Sequence, residues 1–263
     1  MMRAIILGCG SSAGVPRSGG FWGDCDPENP RNRRSRCSLY VERTERGGTT
    51  RALIDTTPDL RSQLLAAGIG LLDGVVYTHP HADHLHGLDD LRTIAQNRGA
   101  RLPVWADGQT SEVLTSRFAY TFVQPPGSLY PPILDLRAIE GPVTIEGEGG
   151  PITLAPFRVQ HGRITALGFR VNDLAYLPDV SDIPADVWPA LHGLEVFILD
   201  ALRRTPHPTH THLAQSLEWI SRVAPRTGVL TNMHNDLDYA TLLDELPPGV
   251  IPAYDGLVLE IAG

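Results

Sequence analysis

Thr78-His79-Pro80-His81-Ala82-Asp83-His84-Leu85-His86-Gly87 places five metal-capable side chains in the eight positions from His79 to His86. The stretch follows directly on the apolar run Gly74-Val75-Val76-Tyr77. A strand that ends in a loop dense in imidazole and carboxylate suits a metal-ion site better than a core. Those groups are the ligands of zinc and of harder divalent ions such as manganese. A solvated polar loop is the plain alternative, and the His-x-His-x-Asp-His order speaks against it.

Residues of ligand type recur at other strand ends. His161 closes Phe157-Arg158-Val159-Gln160, Asp179 follows Ala175-Tyr176-Leu177-Pro178, and His234 lies just beyond Val229-Leu230-Thr231. Loops at the carboxyl ends of strands are where α/β enzymes assemble their sites. Asp55 ends the strand expected at 51–55 and precedes a helix expected over 58–67. It is either the cap of that helix or the partner of a metal-bound histidine.

Around these points the patterning predicts strands at 2–8, 38–43, 102–106, 134–139, 143–146, 152–160, 165–171, 174–177, 195–199, 228–231 and 257–261. Helices are expected at 88–98, 110–118, 184–191, 213–223 and 238–246, and the proline-rich stretch 119–133 reads as loop. No linker or shift in composition divides the chain. Strands interleaved with helices in both halves give a layered α/β domain over residues 1–263.

With 263 residues, 42% hydrophobic and 20% charged, the chain has the composition of a soluble globular protein. A net charge of −8 argues against a large nucleic-acid footprint. Three cysteines, Cys9, Cys25 and Cys37, are too few and too irregular for a disulfide framework. The apolar segment Ala4 to Leu7 is too short for a signal peptide, and no stretch approaches a membrane span. The expectation is a cytoplasmic protein with no membrane partner. The glycine-rich turn Gly8 to Pro16 could offer backbone N–H groups to an anion, or could simply be a tight turn. The run Arg31, Arg33, Arg34, Arg36 reads as a solvated face or as a phosphate site.

His79-x-His81-x-Asp83-His84, His161, Asp179 and His234 together resemble the metallo-β-lactamase-fold hydrolases over nearly the whole chain. That resemblance implies a four-layer αβ/βα sandwich and a site for two divalent metal ions, zinc or manganese. It implies that His79, His81 and His161 bind one ion, that Asp83, His84 and His234 bind the other, and that Asp179 bridges them. Gly8-Cys9-Gly10-Ser11-Ser12-Ala13-Gly14-Val15-Pro16, Arg36-Cys37-Ser38, Gly87 to Arg92, His207-Pro208-Thr209-His210 and Asp255-Gly256 are similar to the phosphoribosyl 1,2-cyclic phosphate phosphodiesterases of the carbon–phosphorus-lyase pathway.

Two departures stand out. The cysteine-rich zinc knuckle of those enzymes is reduced to Cys25, so no structural zinc is expected. Their last Thr-His is Thr231-Asn232 here. His234 is expected to replace it, because positions two apart in an extended segment face one side. Asn232 is then an auxiliary group.

The resemblance implies hydrolysis of a small cyclic or nucleotide-like phosphodiester by metal-activated water. His210 is the expected general acid, with Asp200 or Asp83 orienting it, and Asp83 counts among the catalytic groups. Ser11, His210 and Asn235 are the substrate-binding candidates. His212 is expected to cap a helix or face solvent. A homodimer is compatible with this reading. The competing readings are a thioester or lactam hydrolase of the same fold, a tRNA 3′-end-processing endonuclease, and a non-catalytic nucleotide-binding protein. The endonuclease needs an RNA-gripping insertion that the seventeen residues between His161 and Asp179 do not supply.

Overall fold

The computed structural model describes residues 1–261 and contains two seven-stranded sheets. The first is built from β1 (Met2–Gly8), β2 (Ser38–Glu45), β3 (Gly48–Ile54), β4 (Gly74–Val76), β5 (Leu102–Ala106) and β6 (Leu134–Ala138). The second holds β7 (Val143–Ile145), β8 (Ile152–His161), β9 (Ile164–Val171), β10 (Leu174–Leu177), β11 (Val196–Asp200), β12 (Thr227–Thr231) and β13 (Val250–Pro252). The last strand, β14 (Leu257–Ile261), returns to the first sheet and pairs antiparallel with β1. The strand orders are β14-β1-β2-β3-β4-β5-β6 and β13-β12-β11-β10-β9-β8-β7.

Strand periodicity of two explains how one sequence run serves two cores. In β1, Ala4 and Ile6 face the space between the sheets, whereas Ile5 and Leu7 face the opposite layer. Leu53 and Val75 likewise belong to the outer core, and Ala52, Ile54 and Val76 to the inner one. Strands buried on both faces read as continuous apolar runs, as Ala4 to Leu7 does. The outer core is closed by α1 (Leu60–Ala67), α3 (Leu91–Arg98) and α4 (Gly108–Phe122) through Leu60, Leu64, Leu91, Ile94 and Leu114. On the second sheet, α5 (Leu213–Val223) and α6 (Tyr239–Glu245) contribute Trp219, Ile220, Val223 and Leu242. The result is the expected four-layer αβ/βα sandwich.

Strands β3 to β6 run parallel to one another, and so do β10 to β13. Their carboxyl ends release Asp55, Thr78-His79, Asp179, Asp200 and Asn232 on neighbouring loops. Leu167 N–H donates to the Thr78 carbonyl at 2.9 Å, which ties the second sheet to the first ligand-bearing loop. That loop contains one short helix, α2 (Ala82–Leu85), and closes on Gly87. A Cβ at Gly87 would lie 1.9 Å from the Thr57 carbonyl oxygen, so only glycine fits there.

Several elements differ from expectation. The helix expected at 110–118 runs on to Phe122 past a kink at Phe118 (φ −126°, ψ 30°), because buried Phe122 anchors its last turn in the outer core. The helix expected at 184–191 is only a 3-10 turn, Trp188–Leu191, with Pro189 denying it a backbone donor. The helix expected from Leu88 opens with a 3-10 turn and becomes α-helical at Leu91. Strand β13 was not anticipated. No helix among the described residues is long and apolar enough to cross a membrane.

Candidate metal centre

Asp55 organises the ligand loop. It adopts φ +65°, a left-handed conformation that aspartate tolerates better than most residues. Its fully buried carboxylate accepts the Thr78 backbone N–H at 2.8 Å, the Thr78 hydroxyl at 2.7 Å and His84 Nδ1 at 2.7 Å. Asp59, not Asp55, precedes helix α1. Of the two readings of Asp55, the structure therefore selects the partner of a ligand-type histidine.

These hydrogen bonds set the tautomers. The Thr78 hydroxyl gives its proton to Asp55 and so receives one from His79 Nδ1 at 2.9 Å, which leaves the His79 Nε2 lone pair free. His161 Nδ1 donates to the Thr209 carbonyl at 2.7 Å, which frees its Nε2 as well. Those two nitrogens lie 3.0 and 3.2 Å from His81 Nδ1. Asp179 Oδ2 stands 3.3 Å from His79 Nε2 and 3.7 Å from His161 Nε2. Bonds of about 2.0–2.1 Å place tetrahedral zinc ligands roughly 3.3 Å apart. The inward lone pairs of His79 Nε2 and His161 Nε2 and the Asp179 carboxylate converge at that spacing, an arrangement that a cation among them would stabilise. The donor set therefore fits a divalent metal.

Burial lowers the pKa of His79 to about 3 and also lowers those of His81 and His161, so all three imidazoles are neutral donors at pH 7. A second group abuts the first. His84 Nε2 lies 3.4 Å from the same Asp179 Oδ2 and 3.7 Å from Asp83 Oδ2. His79, His81, Asp83, His84, His161 and Asp179 are thus brought together. His86, by contrast, is exposed and stacks edge-on against Phe118.

Next to this cluster lies a dyad. His210 Nδ1 is 2.8 Å from Asp200 Oδ2, and its ring centroid is 4.6 Å from that of His161. Burial works against a charge on His210. The Asp200 charge and hydrogen bond, with Asp179 and Asp83, outweigh it and raise the pKa to about 9. A cavity of about 220 Å³ is lined by His81, Asp83, His161, Asp179, Asn232 and His210, with Ser12 at its edge.

Three sequence expectations need correction. His234 does not reach the cluster. Asn232 has φ +58°, so the segment is not extended there and the two-residue alternation breaks. His234 instead meets the Arg17 guanidinium through Nε2, with its Nδ1 3.6 Å from Asp236. Asn232 takes the place at the cavity wall, its Nδ2 lying 3.1 Å from both Asp179 Oδ1 and Asp200 Oδ1. Ser11 is buried and away from the cavity wall, where its neighbour Ser12 stands. Asn235 is buried against Gly23, where a Cβ would lie 2.6 Å from its Nδ2, and is likewise absent from the wall.

His212 sits half-buried at the N-cap of α5 without a capping side-chain bond. In the glycine turn, Gly10 N–H bonds the Ser35 carbonyl, Ser11 N–H that of Met233, and Gly14 N–H that of Ser11, so these three groups serve packing. In the arginine run, Arg34 is buried on the Leu237 and His234 carbonyls and Arg36 pairs with Asp59.

The hydrogen bond at Asp55 has a measurable consequence. Asp55→Asn keeps the shape but turns one acceptor into a donor facing Thr78 or His84. Metal affinity is expected to fall about 10–100-fold, as for other outer partners of ligating histidines, and a competition titration with a chromogenic chelator would show it.

A family model described as the Beta-lactamase superfamily domain matches residues 50–233. A protein from Porphyromonas gingivalis named octanoyltransferase is 36% identical over 258 residues, which cover 97% of this chain and 51% of that one. This chain therefore spans about half the length of the curated relative it matches. Among solved structures, one described as a new diphosphatase from the PhnP family is 36% identical, with a TM-score of 0.88 over 100% of this chain and 98% of that chain. Zn²⁺-bound PqqB from Methylobacterium extorquens is 16% identical, with a TM-score of 0.74 over 98% of this chain and 100% of that one, a likeness of fold alone.

Proposed function

We propose that this chain, which belongs to the Beta-lactamase superfamily, is a metal-dependent hydrolase of a small phosphodiester, cyclic or nucleotide-like. One observation carries the reading. A convergent set of imidazole and carboxylate donors shares a single small cavity with a carboxylate-held histidine. The likeness to a PhnP-family diphosphatase supports phosphoryl chemistry.

His79, His81, His161 and Asp179 would hold one divalent ion, zinc or manganese, and Asp83, His84 and Asp179 would hold a second. Bound there, such ions supply Lewis acidity toward phosphoryl oxygens and an acidic water. The protein's own part is positional. Asp55, Thr78 and the Thr209 carbonyl fix the rings so that lone pairs face inward. His210 supplies the proton. Asp200 occupies Nδ1, so Nε2 is the nitrogen left to give. Water adds to phosphorus and releases a proton to solvent, the bond from phosphorus to the leaving oxygen breaks, that oxygen takes the proton from His210 Nε2, and His210 regains one from solvent. A general acid matters most when the leaving group is a poor one such as an alkoxide. The volume of about 220 Å³ favours a small phosphorylated substrate over a macromolecular nucleic acid.

The name of the Porphyromonas gingivalis relative points to acyl transfer, but it belongs to a protein about twice as long. A substrate panel separates the two readings. Purified protein with added Mn²⁺ or Zn²⁺ is expected to hydrolyse cyclic and linear phosphodiesters, and to leave S-octanoyl-N-acetylcysteamine intact. Turnover of the thioester alone would sink the proposal.

A further inference from the structure

The two halves of the donor cluster are unequal, and Asn232 is the reason. Around the first position stand three imidazole nitrogens and one carboxylate oxygen. The second has Asp83 Oδ2, His84 Nε2 and a share of Asp179 Oδ2. The side chain beside it is the amide of Asn232, which is 2% exposed.

The orientation of that amide follows from its neighbours. Asp179 Oδ1 and Asp200 Oδ1, each 3.1 Å away, accept hydrogen bonds, so the NH₂ end must face them. Turning the amide over would place its oxygen against two carboxylate oxygens. The other end faces the Cys37 thiol, a weak donor, with Oδ1 4.0 Å from Sγ. An amide nitrogen engaged in this way has no lone pair to give. Asn232 therefore acts as a positioning residue that pins Asp179 and Asp200, joining the donor cluster to the His210 dyad, and contributes no ligand.

We propose that the protein holds one tightly bound metal ion, at His79, His81, His161 and Asp179, and one weak, exchangeable ion at Asp83, His84 and Asp179. The weak position opens on the cavity lined by Asp83 and Asn232. A phosphoryl oxygen of a bound substrate would add the missing ligand and so strengthen the hold on the weaker ion. This inference rests on the metal-dependent reading above and goes beyond it in assigning unequal sites.

Metal stoichiometry tests it without recourse to turnover. Chelator-stripped protein is titrated calorimetrically with Zn²⁺ and then dialysed for elemental analysis. The wild type is expected to show two binding events differing by about 10–100-fold or more in affinity, the scale reported for disturbed ligand shells. One equivalent remains after dialysis. Asp83→Ala removes the weaker event and leaves the tight one. Asn232→His, a residue that also tolerates positive φ, supplies an imidazole and retains two equivalents.

Two events of equal affinity in the wild type would overturn the inference while leaving the hydrolase reading intact. So would a folded Asn232→His protein, checked by circular dichroism, that still keeps one equivalent. Absence of any binding would overturn both. Should Asn232→His fail to fold, the wild-type and Asp83→Ala titrations still decide the question.

Discussion

Asp179→Ala is expected to lower kcat/KM by on the order of 10³-fold or more and to strip bound metal. Lewis-acid catalysis contributes several kcal/mol, and each 1.36 kcal/mol is a factor of ten. The magnitude follows from where Oδ2 sits, at 3.3, 3.4 and 3.7 Å from the inward nitrogens of His79, His84 and His161. Among the described residues, no other carboxylate oxygen touches both halves of the cluster in this way. Asp179→Asn is expected to fare no better, because its amide nitrogen would meet the histidines with protons. Elemental analysis and steady-state kinetics on the same preparation check both variants. A variant that kept its metal and its rate would remove Asp179 from the site.

His210→Ala carries the second large effect, and its size depends on the leaving group. Loss of a general acid costs about 10²–10⁴-fold where the departing oxygen needs a proton. Diesters of aliphatic alcohols should lose that much, whereas bis-p-nitrophenyl phosphate, whose phenoxide leaves unassisted, should lose little. The pH dependence has a defined sign. Burial lifts Asp200 to about 6, so it is ionised at neutral pH, and its charge helps to raise His210 to about 9. The protonated imidazole therefore predominates below about 9. The wild-type rate on alkyl diesters is expected to fall on the alkaline side as His210 loses its proton, and this limb should vanish in His210→Ala. The same shift stabilises the fold. That contribution is complete below the ordinary imidazole value of about 6.5 and is lost as pH rises through about 9. Equal losses on alkyl and nitrophenyl diesters would contradict a proton-donating role.

The layered fold and the gathering of six of the seven expected metal residues at one place were legible in the sequence for a simple reason. Strands buried on both faces write themselves as apolar runs, and the parallel strands of such sheets end on one edge. Residues at those ends, such as His79 and Asp179, are therefore gathered by topology alone. What stayed hidden depends on single backbone torsions. Extended geometry between Thr231 and His234 would have carried His234 inward, but φ +58° at Asn232 turns the chain and sends that imidazole to Arg17. The same turn aims the amide of Asn232 at Asp179 and Asp200.

Ser11 and Ser12 pose a similar problem, since adjacent residues face opposite ways and nothing in a glycine-rich turn says which faces the cavity. Asp55 could not be assigned from its position at a strand end. A helix cap and a histidine partner both require an acceptor there, and only the 2.7 Å contact to His84 decides. The longer course of α4 was within reach of the pattern, because Phe118 and Phe122 are four apart on one helical face and the proline signals begin only at Pro125.

The proposed phosphodiester hydrolysis requires a divalent metal held by the His79 to His84 loop. That requirement is tested most directly by the rate of diester hydrolysis in chelator-treated protein, before and during graded addition of Mn²⁺ or Zn²⁺. The rate is expected to fall to background after chelation and to return saturably as metal is restored. A chelated, metal-free protein that still cleaved the diester at its original rate would contradict that requirement.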